Sequence, residues 1–323
     1  MVAPAPLALL YPTLLNVLMQ SNYTILPDEN GVPILTKLDY QPLSLEEINV
    51  LAAEVQTITF TLFTRANPRN GQQLKTDVSS VWNSNWNGNK PTVIVTHGWK
   101  SAGTGSSCTL IRDAFLKVLD CNVIVVDWNQ IAKNLMYSQV AKSVPEVANH
   151  VASFVNFMRT KSGLKTATLK LVGHSLGAHV ASLTAQIVSK SSAVSEVIGL
   201  DPAKPMFEDN NANSRIDRSH AKNVQIIHTC AGLLGMRSAV GTSDFYANGG
   251  RNQPGCNNDM LGGCAHSRSY EYYSESITNT KAFPGTPQKG GATAYMGGPN
   301  LDSRARGSYD FKTGGQPPYT VAH

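Results

Sequence analysis

The chain of 323 residues has a mass of 34.8 kDa, which allows about two ordinary domains or one large α/β domain with a deep core. Hydrophobic residues make up 41% of the chain and charged residues 15%, so the composition is globular and excludes a disordered acidic or basic chain. The net charge of +5 comes from scattered side chains, so we expect no nucleic-acid partner.

The N-terminal segment, residues 1–55, is interrupted by prolines and weakly patterned. Its apolar stretch at residues 3–19 is broken by proline, and no other stretch approaches the ~20 residues that cross a bilayer, so we expect no transmembrane segment. The stretch could be the apolar core of a signal peptide. However, the first Lys or Arg is Lys37, so the basic start of such a peptide is missing. Both interpretations stay open.

From Thr57 onward, the chain is predicted to alternate strands with helices. Several of the strands are continuous runs of Val and Ile, which are typical of strands buried on both faces. The predicted strands are residues 58–63, 92–96, 122–126, 168–172, 196–200 and 223–227, and the predicted amphipathic helices are residues 146–159 and 176–190. This alternation predicts an α/β fold with a mostly parallel sheet covered by helices on both sides. From about Arg237, the Gly-rich, Asn-rich and Pro-rich sequence predicts loops with few strong strands.

A candidate nucleophile lies in the motif Gly173-His174-Ser175-Leu176-Gly177. The pattern G-x-S-x-G alone is weak, but here a predicted strand runs into it and an amphipathic helix leaves it. That context is typical of the tight turn that exposes a catalytic serine above a sheet. A side chain at either glycine would collide with the neighbouring strand or helix. The alternative interpretation is a glycine-rich turn with an ordinary exposed serine.

A serine nucleophile needs a base and a carboxylate that orients the base. In this architecture the acid and then the histidine follow the serine, so His97, His150, His174 and His179 are excluded. Asp201 is the candidate acid because it follows a buried strand, although it could instead be a loop carboxylate that caps a helix. The histidine could be any of four, and position favours His266 only modestly: the four are His220, His228, His266 and His323.

The oxyanion of an acyl-transfer intermediate needs preorganised backbone N–H donors. The strand at residues 92–96 ends in His97-Gly98-Trp99, where a glycine would let the main chain approach the serine. The N–H groups of Trp99 and Leu176 are therefore the candidate donors. We interpret His97 as a structural, hydrogen-bonded histidine that shapes this loop.

Several motifs in a constant order resemble those of the pancreatic-lipase family of animal lipases. The matching segments are residues 97–99, 125–128, 173–179, 199–203, 228–229, 244–250, 253–256 and 264–269. Within that family, the chain is most similar to insect neutral lipases and phospholipases of the A1 type. The resemblance covers the chain from about Thr57 to its end.

The resemblance implies an α/β-hydrolase catalytic domain over residues 56–323, preceded by the N-terminal segment. It implies that Ser175, Asp201 and His266 are the nucleophile, acid and base, with the oxyanion hole at Trp99 and Leu176. The implied activity is hydrolysis of glycerolipid esters at a lipid–water interface by a secreted enzyme. Two alternatives stay open: a non-catalytic lipid-binding relative of the yolk-protein type, and an esterase of small soluble esters.

Departures from the family concern the loops around the site. In long-lid members, the cysteines matching Cys256 and Cys264 bracket a large amphipathic lid. Here only seven residues lie between these cysteines. The loop that matches the family's second surface loop, residues 230–239, is also short. We therefore hypothesise an open site that needs no interfacial uncovering. Because the sequence ends at His323, we expect no C-terminal β-sandwich domain and no colipase.

The resemblance also bears on metal and cysteine residues. In the family's calcium loop, Arg215 and Asp217 are kept, but His220 takes the place of the second carboxylate, so we expect no calcium and no other cofactor. The implied disulfides are Cys108–Cys121 and Cys256–Cys264. The remaining Cys230 is interpreted as a buried free thiol, with an intermolecular bridge as the alternative.

Overall fold

A sheet of eleven strands forms the centre of the fold in a computed structural model, which describes residues 22–321. A separate two-stranded hairpin precedes it. The hairpin strands are β1 (Tyr23–Pro27) and β2 (Pro33–Lys37), and the sheet strands are β3 (Thr59–Phe63), β4 (Gln72–Leu74), β5 (Thr92–Thr96), β6 (Asn122–Asp127), β7 (Leu169–His174), β8 (Glu196–Leu200), β9 (Asn223–His228), β10 (Ser243–Ala247), β11 (Pro284–Pro287), β12 (Ala294–Tyr295) and β13 (Gly307–Phe311). The apolar stretch at residues 3–19 lies outside the described residues, as does His323.

The middle of the sheet is parallel. Strands β13, β10, β9, β8, β7, β5 and β6 are neighbours in that order and run in one direction. The antiparallel strands β3 and β4 extend one edge, and β11 and β12 extend the other. All residues of β5 and β8 are buried, as expected for strands that are covered on both faces. The mostly parallel sheet predicted from the Val and Ile runs is confirmed.

Helices cover both faces of this sheet. They are α1 (Leu45–Glu54), α2 (Val78–Trp82), α3 (Ser106–Val118), α4 (Asn129–Ala132), α5 (Tyr137–Ser162), α6 (Leu176–Ser189) and α7 (Gly263–Thr278). Alternate residues of a strand join different cores: Ile94 of β5 packs with α5 and α6, whereas Val93 and Val95 pack with α3 and α7. None of the helices within residues 22–321 has the length and apolar composition needed to cross a bilayer.

The described part of the N-terminal segment, residues 22–55, is part of the same core. Leu26 of the hairpin and Leu51 and Val55 around α1 are buried in the cluster that contains α5 and α6. Ser44 caps α1: its hydroxyl accepts from the Glu47 N–H, and the Glu47 carboxylate accepts from the Ser44 N–H. Residues 22–55 therefore belong to the packed structure although their sequence pattern is weak.

The chain beyond Arg237 is more regular than its composition predicts. The expectation of loops with few strands is wrong, because four strands, β10 to β13, and the 16-residue helix α7 lie there. The start of α7 is fixed by Asp259, whose carboxylate accepts from the N–H groups of Cys264 and Ala265. His266, which we expected in a loop, therefore lies in the first turn of a helix.

The cysteines form one bridge. Cys256 and Cys264 are joined by a disulfide, whereas Cys108, Cys121 and Cys230 are buried free thiols. The expected Cys108–Cys121 disulfide is therefore wrong. Cys108 lies in the first turn of α3 and Cys121 follows the end of the same helix, and each thiol is buried among apolar side chains.

The cysteine arrangement predicts a thiol count. Denatured, unreduced protein should react with Ellman's reagent at three thiols per chain, and reduced protein at all five. Native protein should react slowly, because burial raises the pKa values of Cys121 and Cys230 to about 12 and that of Cys108 even further. One thiol in the denatured, unreduced protein would instead indicate a second bridge.

Candidate active site

The candidate nucleophile occupies a strained turn. Ser175 connects β7 to α6 with φ 57° and ψ −123°, a conformation that costs on the order of 1–3 kcal/mol for a residue with a side chain. The turn is tight enough that a Cβ at position 173 would lie 2.0 Å from the carbonyl oxygen of Gly177. A Cβ at position 177 would lie 2.4 Å from the carbonyl oxygen of His97. The steric reason predicted for both glycines is thus confirmed.

The candidate acid is a fully buried carboxylate with three donors. Asp201 directly follows β8 and has a φ of 43°. Its Oδ1 accepts from the N–H groups of Thr229 and Cys230 at 2.9 and 3.0 Å. Its Oδ2 accepts from Nδ1 of His266 at 2.6 Å. The last bond places the imidazole proton on Nδ1 and leaves Nε2 free to act as a base.

The other candidate histidines that the structure describes lie elsewhere. Nδ1 of His220 is bonded to the hydroxyl of Ser182 at 2.8 Å. His228 is bonded to Asp244 and to the carbonyl oxygen of Met236. Of the three described candidates, His266 is therefore the one that is bonded to Asp201.

His174, inside the serine motif, holds the candidate base from the other side. Its Nε2–H donates to the carbonyl oxygen of His266 at 3.2 Å, and the two ring centroids lie 4.4 Å apart. Burial, together with the charge of His266, keeps the pKa of His174 well below its ordinary value. A neutral His174 can therefore orient His266 without adding a second positive charge.

Ser175 and His266 line one cleft, but their side chains are not yet bonded. Within the described residues, the Ser175 hydroxyl makes no hydrogen bond. Such contacts are often long in the absence of substrate and tighten only when it binds. A small rotation or shift of either side chain is therefore part of any reaction here.

Two backbone N–H groups close to Ser175 are the candidate oxyanion donors. A Cβ at position 98 would lie only 2.8 Å from the Cβ of Ser175, so the main chain leading to Trp99 passes against Ser175. Leu176 is the first residue of α6, where N–H groups have no helical acceptor. Neither amide donates to another protein group in the described part of the chain.

The loop that carries Trp99 is fixed by buried aromatic side chains. His97 is fully buried and stacks on Trp128, whose Nε1–H donates to the His97 carbonyl at 3.0 Å. The Trp128 N–H donates to Nε2 of His97, and Nε1–H of Trp99 donates to the Asn134 carbonyl at 2.7 Å. These bonds agree with the structural role that we inferred for His97.

The cleft has a wall that the sequence analysis missed. Residues 26–29 at the tip of the β1–β2 hairpin line it together with Ser175 and His266. Oε2 of Glu29 accepts from the hydroxyl of Ser101 at 2.5 Å, which ties the hairpin to the loop after Trp99. The cavity has a volume of about 50 Å³, far below the ~300 Å³ of a small ligand site. The part of the cleft beside Ser175 is thus narrow.

The short lid region forms no covering helix. Residues 257–263 make turns between Cys256 and Cys264, and α7 begins at Gly263. Met260 is exposed in this loop, and Leu35 and Val32 are exposed on the hairpin. This loop adjoins the hairpin, and both present apolar side chains to solvent.

The residues at the family's calcium position do not fit that ion. Oδ1 of Asp217 accepts from the N–H and hydroxyl of Ser219, and Oδ2 lies 3.7 Å from Nη1 of Arg215. Nδ1 of His220 is bonded to the Ser182 hydroxyl, and an imidazole ring has no oxygen to offer to the ion. Ca²⁺ takes six to eight oxygen ligands, and a single carboxylate already bonded within its own loop serves it poorly.

Comparisons with known proteins identify relatives of this chain. The profile of the family described as Lipase matches residues 34–297. Human pancreatic triacylglycerol lipase is 33% identical over 250 residues, which cover 71% of this chain and 53% of that protein. Phospholipase A1 of Vespa velutina is 35% identical over 247 residues, which cover 72% of this chain and 81% of that protein.

Among solved structures, Est1E from Butyrivibrio proteoclasticus matches with a TM-score of 0.32 and 11% identity over 45% of this chain and 69% of that one. The chain spans about half the length of human pancreatic triacylglycerol lipase.

Adding one methyl group next to Asp201 tests whether the position of its carboxylate matters. A Cβ at position 235 would lie 2.3 Å from Oδ1 of Asp201, so Gly235→Ala should displace the carboxylate from its amide donors. We expect the rate at which a fluorophosphonate labels Ser175 to fall by about 10², because displacements near 1 Å have effects of this size. Gly314→Ala is the control, since its Cβ would have no neighbour closer than 3.7 Å. Equal labelling rates in both variants would contradict the geometry.

Proposed function

The chain belongs to the lipase family, and we propose that it hydrolyses carboxylic esters of glycerolipids in the cleft that contains Ser175. The observation that carries the proposal is the buried Asp201–His266 hydrogen bond beside a serine on a strained turn. A buried carboxylate that fixes the Nδ1–H tautomer of a histidine is the arrangement that activates a serine hydroxyl.

In the proposed mechanism, Ser175 Oγ attacks the ester carbonyl while Nε2 of His266 takes the hydroxyl proton. Asp201 stabilises the resulting imidazolium through Nδ1–H. The N–H groups of Trp99 and Leu176 donate to the oxyanion, and each such donor contributes roughly 10²–10³ in rate. His266 then protonates the leaving alcohol, and water repeats the sequence on the acyl-enzyme.

We propose glycerolipids with a polar headgroup as the substrate class, cleaved at the sn-1 ester. The short loop at residues 257–263 supports this, since it leaves space above the cleft that a long lid would fill. Because the hairpin tip lines the narrow cavity, we propose that it moves when an acyl chain enters. Hydrolysis of positionally labelled phosphatidylcholine, compared with triolein, tests the class: faster release of the sn-1 acyl chain is expected, and a preference for triolein would contradict it.

Two other activities are separable from this one. A non-catalytic lipid-binding protein would not react with a fluorophosphonate, whereas the proposed enzyme should be labelled at Ser175. An esterase of small soluble esters would react with the probe but leave phosphatidylcholine and triolein uncleaved. The disulfide between Cys256 and Cys264 supports a further proposal, that the protein is secreted, because such bonds persist in oxidising compartments.

Substitution of the proposed catalytic residues should separate chemistry from folding. Ser175→Ala should lower turnover of a phospholipid by about 10⁶, and Asp201→Asn by about 10⁴ because the asparagine favours the wrong tautomer of His266. Circular dichroism and thermal melting should show that both variants stay folded. Full ester hydrolysis by folded Ser175→Ala protein would refute the mechanism.

We propose that catalysis needs no calcium. The Asp217 carboxylate is bonded within its own loop, and the mechanism uses no metal ion. Dialysis against EDTA should therefore leave turnover and melting temperature unchanged. A loss of activity that added Ca²⁺, but not Mg²⁺, restores would contradict this proposal.

A further inference from the structure

A second buried histidine–aspartate pair lies beside the proposed catalytic pair. His228 ends β9, and its Nε2 lies 2.9 Å from Oδ1 of Asp244 on the neighbouring strand β10. Its Nδ1 lies 2.9 Å from the carbonyl oxygen of Met236. The side chains of His228 and Asp244 are 0% and 1% exposed, so both are effectively removed from water.

The partners of this ring determine its protonation. A carbonyl oxygen can only accept, so Nδ1 must carry a hydrogen. Oδ2 of Asp244 accepts from the N–H of Gly241 at 3.0 Å, and Oδ1 faces Nε2. With Asp244 ionised, Nε2 must donate as well, and the ring is an imidazolium. The competing assignment is a neutral ring that accepts a proton from a protonated Asp244.

The contrast with His179 supports this assignment. His179 is also fully buried, and its Nε2–H donates to the carbonyl of Ala203. Its Nδ1 accepts from the Ile216 N–H, so one nitrogen donates and the other accepts, as in a neutral ring. Burial lowers the pKa of His179 to about 3. Both nitrogens of His228 instead face oxygen atoms that accept hydrogen bonds, as expected for a ring that carries a proton on each nitrogen.

The charges around His228 favour the same state. The charged groups acting on the ring are Asp244 from β10 and Asp201 from the end of β8, and the flat face of Tyr246 stacks on it at 4.2 Å. Burial opposes protonation, but the hydrogen bond to Asp244 and both carboxylates raise the pKa of His228 above its ordinary value. The Tyr246 phenol stays neutral because burial raises its pKa strongly.

The position of His228 links it to the proposed catalytic acid. The peptide unit after His228 supplies the Thr229 N–H that donates to Asp201, and the next unit supplies the Cys230 N–H. The peptide group between Thr229 and Cys230 is also fixed through its carbonyl, which accepts from Nε2 of Gln253 at 2.9 Å. Anchoring the His228 side chain at both nitrogens therefore fixes where the donors to Asp201 lie.

We propose that His228 and Asp244 form a buried ion pair that positions the amide donors of Asp201, and through them His266. Both are positioning residues, since neither lines the cleft that contains Ser175. The inference rests on the proposed function, because it gives the pair a role in holding the catalytic acid.

Nuclear magnetic resonance of the ring nitrogens tests the ion pair without reference to activity. In long-range ¹H–¹⁵N correlation spectra at pH 7.5, both nitrogens of His228 should have the shifts of protonated nitrogens, as in an imidazolium. Asp244→Asn, which identifies the signals, should convert one of them to an unprotonated nitrogen. A neutral His228 in the unmodified protein would overturn the inference.

The kinetic test compares two buried ion pairs on one sheet. Asp244→Asn should lower kcat by roughly 10- to 100-fold with little change in KM, because the donors to Asp201 shift while the cleft stays intact. The control is Glu196→Gln, which breaks the buried Lys170–Glu196 pair, 2.6 Å apart, at the other ends of β7 and β8. It should lower the melting temperature but leave kcat unchanged.

The outcomes separate the two proposals. If the unmodified protein hydrolyses esters but both variants keep full kcat, the positioning role is refuted and the proposed function stands. If Asp244→Asn and Glu196→Gln both lower kcat in proportion to the fall in melting temperature, the His228–Asp244 pair has only a structural role. The inference is then also refuted. An unmodified protein without any ester hydrolysis refutes the proposed function itself.

Discussion

The buried carboxylate of Asp201 is the constraint on which the rest of the site depends. An ionised carboxylate without partners in a protein interior costs several kcal/mol, so the fold must supply donors wherever it buries one. Here two donors come from the end of β9 and the third from the first turn of α7. Strands β7, β8 and β9 are adjacent and parallel, so their carboxyl ends lie at one edge of the sheet. This edge therefore brings together the serine turn, the acid and the amide donors of the acid.

The parts of this arrangement that sequence reasoning predicts are those with local physical causes. Continuous runs of Val and Ile favour strands that are buried on both faces. They predict the ends of the parallel strands β5 to β9 to within one or two residues. The glycines around Ser175 have a steric cause within five residues of sequence. Asp201 follows from the same logic, since a carboxylate directly after a buried strand lies at the ligand-binding edge of the sheet.

The parts that could not be predicted depend on contacts between distant residues. His266 is identified mainly by family resemblance, because nothing local reveals that the Asp259 carboxylate accepts from the first N–H groups of a helix there. The Cys108–Cys121 pairing rests on the family resemblance alone, and the structure leaves both thiols free on either side of α3. The hairpin tip enters the cleft through a bond between Glu29 and Ser101, 72 positions apart in sequence. The double acceptor environment of His228 is visible only once β9 and β10 are paired.

The central claim is that these separate elements form one reaction centre, and a crystal structure of the protein after reaction with a fluorophosphonate tests it most directly. The account predicts a covalent bond from Ser175 Oγ to phosphorus, and a phosphonyl oxygen about 2.7–3.1 Å from the amide nitrogens of Trp99 and Leu176. It also predicts that the Asp201–His266 hydrogen bond is kept and that Nε2 of His266 turns toward the serine oxygen. An adduct on another residue, or a phosphonyl oxygen that points to solvent with both amides unbonded, would contradict the account.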